Sequence, residues 1–128
     1  MKRLFPILLF LALWLAGCRS TDGRPEKVAR LFLEYYYAND YEKAMVYADE
    51  TTAQELQVSL NQLELNGITA EERKSLAVFA IIEVEGIIAN DGYQAVCAYK
   101  VKNAPDDANA MIETLLLVKT EEGWKASF

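Results

Sequence analysis

Few side chains in this sequence are equipped for chemistry. The chain has no histidine and two cysteines, Cys18 and Cys97. Without an imidazole, neither a Ser-His-Asp nor a Cys-His nucleophile can be assembled, and histidine-ligated metal sites are excluded. Two thiolates are too few for a structural zinc site. The acids that a strand can aim into a pocket are Glu83, Glu85 and Glu113, with Tyr99 and Thr114 as hydroxyl donors. Asp106-Asp107 sits in a turn-rich loop, Ala104 to Asn109, and falls short of the ligand number that calcium takes. Tyr35-Tyr36-Tyr37 can wall a ligand. Successive helical residues point about 100° apart, so two of the three are expected in the core, with Tyr37 at its surface. No cofactor and no metal are expected. The 128 residues carry 13 basic and 19 acidic side chains, a net charge of −6 with no basic run. Nucleic acid is therefore not an expected partner, because phosphate affinity needs clustered Lys or Arg.

The N-terminus reads as an address. Met1-Lys2-Arg3 is followed by an apolar core, Leu4 to Leu15, and then by polar sequence. That is the layout of a secretory signal, and the apolar run is short of the roughly 20 residues of a bilayer span. It ends in Leu15-Ala16-Gly17-Cys18, which resembles the lipobox of bacterial lipoproteins. The resemblance implies cleavage between Gly17 and Cys18, and a diacylglycerol on the Cys18 thiol. An acyl chain such as palmitate would sit on the new amine. One chain is a marginal anchor and two or three hold essentially permanently. Arg19 follows the cysteine where Asp in enteric lipoproteins resembles an inner-membrane retention signal, so an outer-membrane, periplasm-side envelope location is expected. Residues 1–17 are thus expected to be removed and 18–24 to form a lipidated polar tether. Loss of Lys2 and Arg3 leaves eleven basic residues against nineteen acids, a net −8. Cys97 then has no partner and is expected as a small buried filler.

The elements that position these residues follow from periodicity. Pro25 suits a first helical turn. Val28, Leu31, Phe32, Tyr35 and Tyr36 form one helix face, and Asn39-Asp40 breaks it. A second helix is predicted over Tyr41 to Asp49. Thr52-x-x-Glu55 reads as a capping box opening a third helix with the stripe Leu56, Leu60, Leu63. Asn66-Gly67 closes it, and Thr69-x-x-Glu72 predicts one more helical turn, to about Leu76. The period then changes to two. Asp91-Gly92 predicts a two-residue hairpin with Ile88/Ala95, Gly86/Cys97, Val84/Tyr99 and Ile82/Val101 on the core face. Ile87/Val96, Glu85/Ala98 and Glu83/Lys100 fall on the other face. Glu121-Glu122-Gly123 predicts a three-residue hairpin that pairs Thr120/Trp124, Val118/Ala126 and Leu116/Phe128 toward the core. Helices before strands give an α+β class: N-terminal helices on a four-stranded antiparallel sheet.

The Pro-led helix with its aromatic end, the run YYYANDYEKAMVYAD, the long hairpin and the terminal GWKASF resemble the nuclear transport factor 2-like superfamily, over residues 25–128. More narrowly they resemble its uncharacterised domains in small bacterial lipoproteins. The resemblance implies a cone, with a curved sheet around the first helix and a pocket at the open end. It spans enzymes of the ketosteroid isomerase and SnoaL types, binding modules and assembly domains, so it leaves function open. Such an isomerase needs a pocket carboxylate and an oxyanion donor. In the registers above, Glu83, Glu85 and Glu113 face away from the core, so no catalytic set is expected.

The expected pocket or core lining is Phe32, Tyr35, Tyr36, Val84, Cys97, Tyr99, Leu116 and Trp124. Ile87, Val96, Leu115 and Leu117 are expected on the outer sheet face, either as a homodimer or partner interface or covered by the third helix. The reading is a lipid-anchored, non-enzymatic envelope protein whose cone binds a small apolar ligand or a protein partner. The alternatives are a small pocket enzyme and a structural accessory of an envelope assembly.

Overall fold

The computed structural model describes residues 24–128. The expected signal segment, the Gly17–Cys18 cleavage pair and the tether up to residue 23 lie outside the described residues. Four helices precede four strands: α1 Pro25–Tyr37, α2 Tyr41–Val46, α3 Glu50–Leu65, α4 Ala70–Ser75, β1 Ile81–Asn90, β2 Gln94–Lys102, β3 Ile112–Thr120 and β4 Gly123–Ser127. The strands form one antiparallel meander in the order β1-β2-β3-β4. This is the expected α+β arrangement, with α1 packed across all four strands.

Helix α1 starts on Pro25, whose missing N–H costs nothing there, and Glu26 sits favourably in the first turn. It buries Val28, Ala29, Phe32 and Leu33, so its inner face is turned slightly from the predicted stripe. Asn39, at φ 58°, ends it in the left-handed conformation that Asn tolerates better than most residues. Asp40 then caps α2. The predicted box at Thr52 is corrected. Asp49 is the cap of α3, accepting from the Thr52 amide at 2.8 Å, because the helix begins three residues earlier, at Glu50. Thr52 is fully buried instead, and its Oγ1 accepts from the Phe128 amide at 2.9 Å. The second box is present, with Thr69 capping α4 through the Glu72 amide.

Backbone bonds tie the helical half to the last strand. Asp49 N–H donates to the Ala126 carbonyl at 2.8 Å, and Ala126 N–H donates to the Tyr47 carbonyl at 2.7 Å. These bonds anchor the α2–α3 link along β4, beside the Ala48–Ala126 bridge.

The first hairpin is correct at its far end and shifted at its tip. Ile82/Val101, Glu83/Lys100 and Val84/Tyr99 pair as predicted. The tip turns one residue later, on Gly92-Tyr93, with Asp91 N–H donating to the Gln94 carbonyl at 3.1 Å. Gly92 alone takes positive φ, and the Asp91 carboxylate accepts from the Tyr93 and Gln94 amides. Two register shifts in β1, between Val84 and Gly86 and between Ile87 and Ala89, absorb the difference. Gly86, at φ 143°, permits the first. Ile87 consequently packs against the core, Ile88 is exposed, and Cys97 lies opposite Ile87 rather than Gly86.

The second hairpin is corrected throughout. Its loop is the two residues Glu121 and Glu122, and Thr120 pairs with Gly123. Neither Glu121 nor Glu122 takes positive φ in this turn. Gly123 takes the positive φ instead, at 111°, and the Thr120 hydroxyl closes the turn by donating to the Gly123 carbonyl at 2.9 Å. A one-residue change of register exchanges the faces of a strand. Leu115 and Leu117 are therefore core residues, at 2% and 0% exposure, whereas Leu116 and Ile112 lie on the outer face at 37% and 63%.

The largest fully buried side chains of the core are Phe32, Leu33, Leu115, Leu117, Cys97 and Thr52. Truncating a buried leucine costs about 2–5 kcal/mol. Leu117→Ala should thus lower the urea midpoint strongly, while Leu116→Ala should cost about 1 kcal/mol or less. Equal losses in the two variants would contradict the observed register.

Candidate functional site

The last turn of α1 places three consecutive tyrosines at one end of the sheet. Tyr35 turns aside, stacks on Tyr47 at 6.0 Å and lies under the Lys43 ammonium. Tyr36 joins an aromatic cluster, stacked on Phe32 at 5.8 Å, with the edge-to-face partner Phe128 at 5.3 Å and Tyr41 at 5.6 Å. Tyr37 meets Tyr36 at 5.4 Å with the ring planes at 85°.

Arg73 of α4 holds this end together. It is 6% exposed, donates from Nε to the Asn39 carbonyl at 2.8 Å, and reaches both Glu42 oxygens at 2.6 Å. The Asn39 side chain donates back to the Arg73 carbonyl at 3.0 Å, and the guanidinium lies 5.7 Å from the Tyr41 ring. Burial raises the Glu42 pKa, but the hydrogen bond and charge of Arg73, with Lys74, bring it below its usual value. No sequence pattern pointed to this clamp; the only hint was an Arg inside a short capped helix.

After α4 the chain runs without regular structure from Leu76 to Ala80, leaving Leu76, Val78 and Phe79 exposed. Between this strap and the tyrosines lies a groove of about 370 Å³, lined by Tyr36, Tyr37 and Tyr41, by Leu76, Val78, Ala80 and Val101, and by Asn39 and Asn103. A second hollow of about 240 Å³ shares Tyr37, Val78 and Ala80 and adds Glu34. A cleft of about 460 Å³ at the second hairpin is lined by Asp49, Glu50, Thr120, Glu121, Glu122 and Lys125. Its lysine is committed, donating to the Val46 carbonyl at 2.7 Å and pairing with Glu122 at 3.4 Å.

The corrected register of β3 adds polar groups beside the groove. Glu113 pairs across the sheet with Tyr99, on the inner face rather than the outer one. Burial, then the neighbouring Tyr37 and Glu113 together with side-chain hydrogen bonding to both, push the Tyr99 hydroxyl well above its usual range. Burial and Glu113 also raise Tyr37, more than its hydrogen bond to Tyr99 lowers it. Both phenols stay neutral near pH 7, able to donate and accept. Glu83 and Glu85 remain on the other side, where Lys102 and Lys100 pair with them.

Of the expected lining, only Tyr36 borders the groove. Phe32, Cys97 and Tyr99 are core, Val84 packs partly buried against it, and Trp124 packs there also, with the Lys119 ammonium 5.9 Å from its ring. Leu116 is a correction, lying on the outer face. Of the expected outer face, Leu115 and Leu117 are core, Ile87 packs against the core, and Val96 alone pairs outward, with Leu116. Tyr37, named in the sequence as one of three tyrosines that can wall a ligand, lines the groove, whereas Tyr41, Leu76, Val78, Ala80 and Val101 were missed as lining. The apolar LAVFA run directly after a capped helical turn was the signal for the strap.

Burial, then Glu26, raise the Cys97 thiol to about 11, against only a small opposing effect of Arg30. A group whose pKa rises on folding stabilises below its unfolded pKa, and the benefit is lost as pH climbs. Native Cys97 should resist thiol reagents at neutral pH. Cys97→Ala should soften the loss of stability between about pH 9 and about 11; rapid native labelling or an unchanged alkaline limb would count against this environment. For Glu42 the sign reverses, since folding lowers its pKa: its stabilisation is present above about pH 4.5 and disappears on acidification. Glu42→Gln should melt lower at neutral pH and decline less steeply in acid, as read by melting temperature against pH.

No family model and no curated protein matches the sequence. Among solved structures the chain is similar to a Campylobacter jejuni protein named as a candidate NTF2-like transpeptidase. The identity is 20%, the TM-score 0.54, and the likeness covers 82% of this chain and 98% of that one. No described helix is long and apolar enough to cross a membrane. The helix-on-meander architecture and this structural likeness together show that the chain has a nuclear transport factor 2-like fold.

Proposed function

We propose that the protein is a lipid-anchored, non-catalytic binding module of the bacterial envelope that receives a small, largely apolar ligand at the rim of its cone. The observation that supports this reading is the groove beside Tyr37. One wall is aromatic, and the opposite strap exposes Leu76 and Val78, at 69% and 75%, with no described element covering them. Apolar walls with a few convergent polar groups are the usual make-up of small-molecule sites. Phe32, Leu33, Leu115 and Leu117 fill the middle of the described fold, and the groove lies at the end of the sheet beside the tyrosines. Anchoring rests on the lipobox-like Leu15-Ala16-Gly17-Cys18 and on the outer-membrane leaning of Arg19.

Acyl transfer, which the name of the Campylobacter jejuni protein suggests, has little support in this chain. There is no histidine to act as base, and Cys97 is buried with a raised pKa. A second reading, a pocket enzyme of the isomerase type, draws on one observation: Glu113 faces Tyr99. That carboxylate is exposed, however, and lines no described hollow in which a substrate could be enclosed.

Native mass spectrometry of the protein extracted from its own membrane tests the main reading. The expected result is a mass carrying acyl chains at Cys18 and a retained small molecule that Tyr37→Ala loses. Cys18→Ser should abolish acylation. Partitioning of that variant into detergent after processing would overturn the anchor, and retention of the ligand by Tyr37→Ala would overturn the groove.

A further inference from the structure

We infer that the ligand of the Tyr37 groove carries an ammonium group on its apolar body, an inference that rests on the ligand-binding reading above. Three features of the site converge on that class.

The first is the aromatic wall. Tyr36 and Tyr37 stand at 85° to each other and Tyr41 tilts 39° from Tyr36, so the rings line the groove with differently oriented surfaces. The faces of such rings carry the negative part of the quadrupole and attract a cation. Arg73 already lies over Tyr41 in this way.

The second is the charge of the surroundings. Glu113 stands opposite Tyr99 on the neighbouring strand, close enough to act on Tyr37, and Glu34 lines the adjoining hollow that shares Tyr37. Neither carboxylate forms an ion pair among the described residues. The neighbouring cations are committed elsewhere: Arg73 to Glu42, Lys74 to Asp40, Lys100 to Glu85 and Lys102 to Glu83. No Lys or Arg lines either hollow. The nearest guanidinium, Arg73 over Tyr41, is already neutralised by Glu42, so an anionic ligand would meet carboxylates and no free cation of the lining, whereas an ammonium would find the ion-pair partner that Glu34 and Glu113 lack.

The third is the strap. Leu76, Val78 and Ala80 line the groove together with the tyrosines and Val101, a surface suited to an alkyl stem. Asn39 and Asn103, which also line it, can take a hydrogen bond.

Three probes of one chain length separate the terms: hexyltrimethylammonium, hexane-1-sulfonate and hexanol. They are titrated calorimetrically into the full mature chain held in lipid nanodiscs, with empty nanodiscs as the blank. The ammonium should bind most tightly and the sulfonate least. Glu113→Gln, at an exposed position that leaves the fold intact, should weaken the ammonium about fivefold to tenfold and leave hexanol unchanged. Tyr37→Leu, which keeps apolar contact but removes the ring face, should weaken the ammonium more than hexanol. Equal binding of ammonium and hexanol, unaffected by Glu113→Gln, would overturn this inference while leaving an apolar groove in place. Tightest binding of the sulfonate would also overturn it. No binding of any probe would overturn the groove reading and this inference with it.

Discussion

The position of β3 between its two neighbours is the constraint on which the rest of the molecule depends. Side chains alternate along a strand, so one residue of slip exchanges everything that faces the helices with everything that faces away. In the observed register, Leu115 pairs with Cys97 and Leu117 with Ala126, and all four are buried under α1. The alternative would bury Leu116 and Val118 and strand two leucines outside. Glu113 travels with Leu115 and Leu117. The same register that closes the core therefore brings a carboxylate to the inner face beside Tyr99 and Tyr37. Core and site are set by one choice of register, made by the Glu121-Glu122 turn together with the pairing of β3 to β2 and β4.

The helical side is fixed by different means. Helix α1 supplies Phe32 and Leu33 to the sheet, and burial of each contributes roughly 1.5–3 kcal/mol. The shorter helices bury less and depend more on polar links. Asp49, Tyr47 and Ala126 exchange backbone bonds, and Thr52 receives the Phe128 amide. Arg73 ties α4 to the α1–α2 turn, and with it the strap from Leu76 to Ala80. Binding residues are commonly carried on such irregular segments, held by a rigid scaffold. The groove has that construction, with one rigid aromatic wall on α1 and α2 and one wall made of loop.

The packed middle of the sheet sets where side chains remain accessible. Phe32, Leu33, Leu115 and Leu117 occupy the middle of the cone, so the tyrosines operate at its rim. Their raised pKa values keep them neutral, which suits hydrogen bonding and ring contact more than proton transfer near pH 7. Fold and chemistry are thus decoupled: the meander supplies positions, and the residues that occupy them set what the site can hold.

Local chemistry made much of this legible in the sequence. Pro25 starting α1, Asn39-Asp40 breaking it, Thr69 capping α4 and the change of period after residue 80 are all interactions between near neighbours, and each was read correctly. The far half of the first hairpin was also legible, because Ile82, Val84, Tyr99 and Val101 sort cleanly from Glu83 and Lys100. The remaining features depended on comparisons that no local window contains. β3 is apolar on both faces, with Leu115, Leu116 and Leu117 in succession, so its pattern does not choose a side; the turn and both neighbouring strands do. The bulges at Glu85 and Ile88 depend on how β1 meets β2, and the Arg73 clamp joins residues more than thirty positions apart. Residue type and spacing set the elements. Which faces met, and so which tyrosine came to stand opposite Glu113, was decided only when the strands packed.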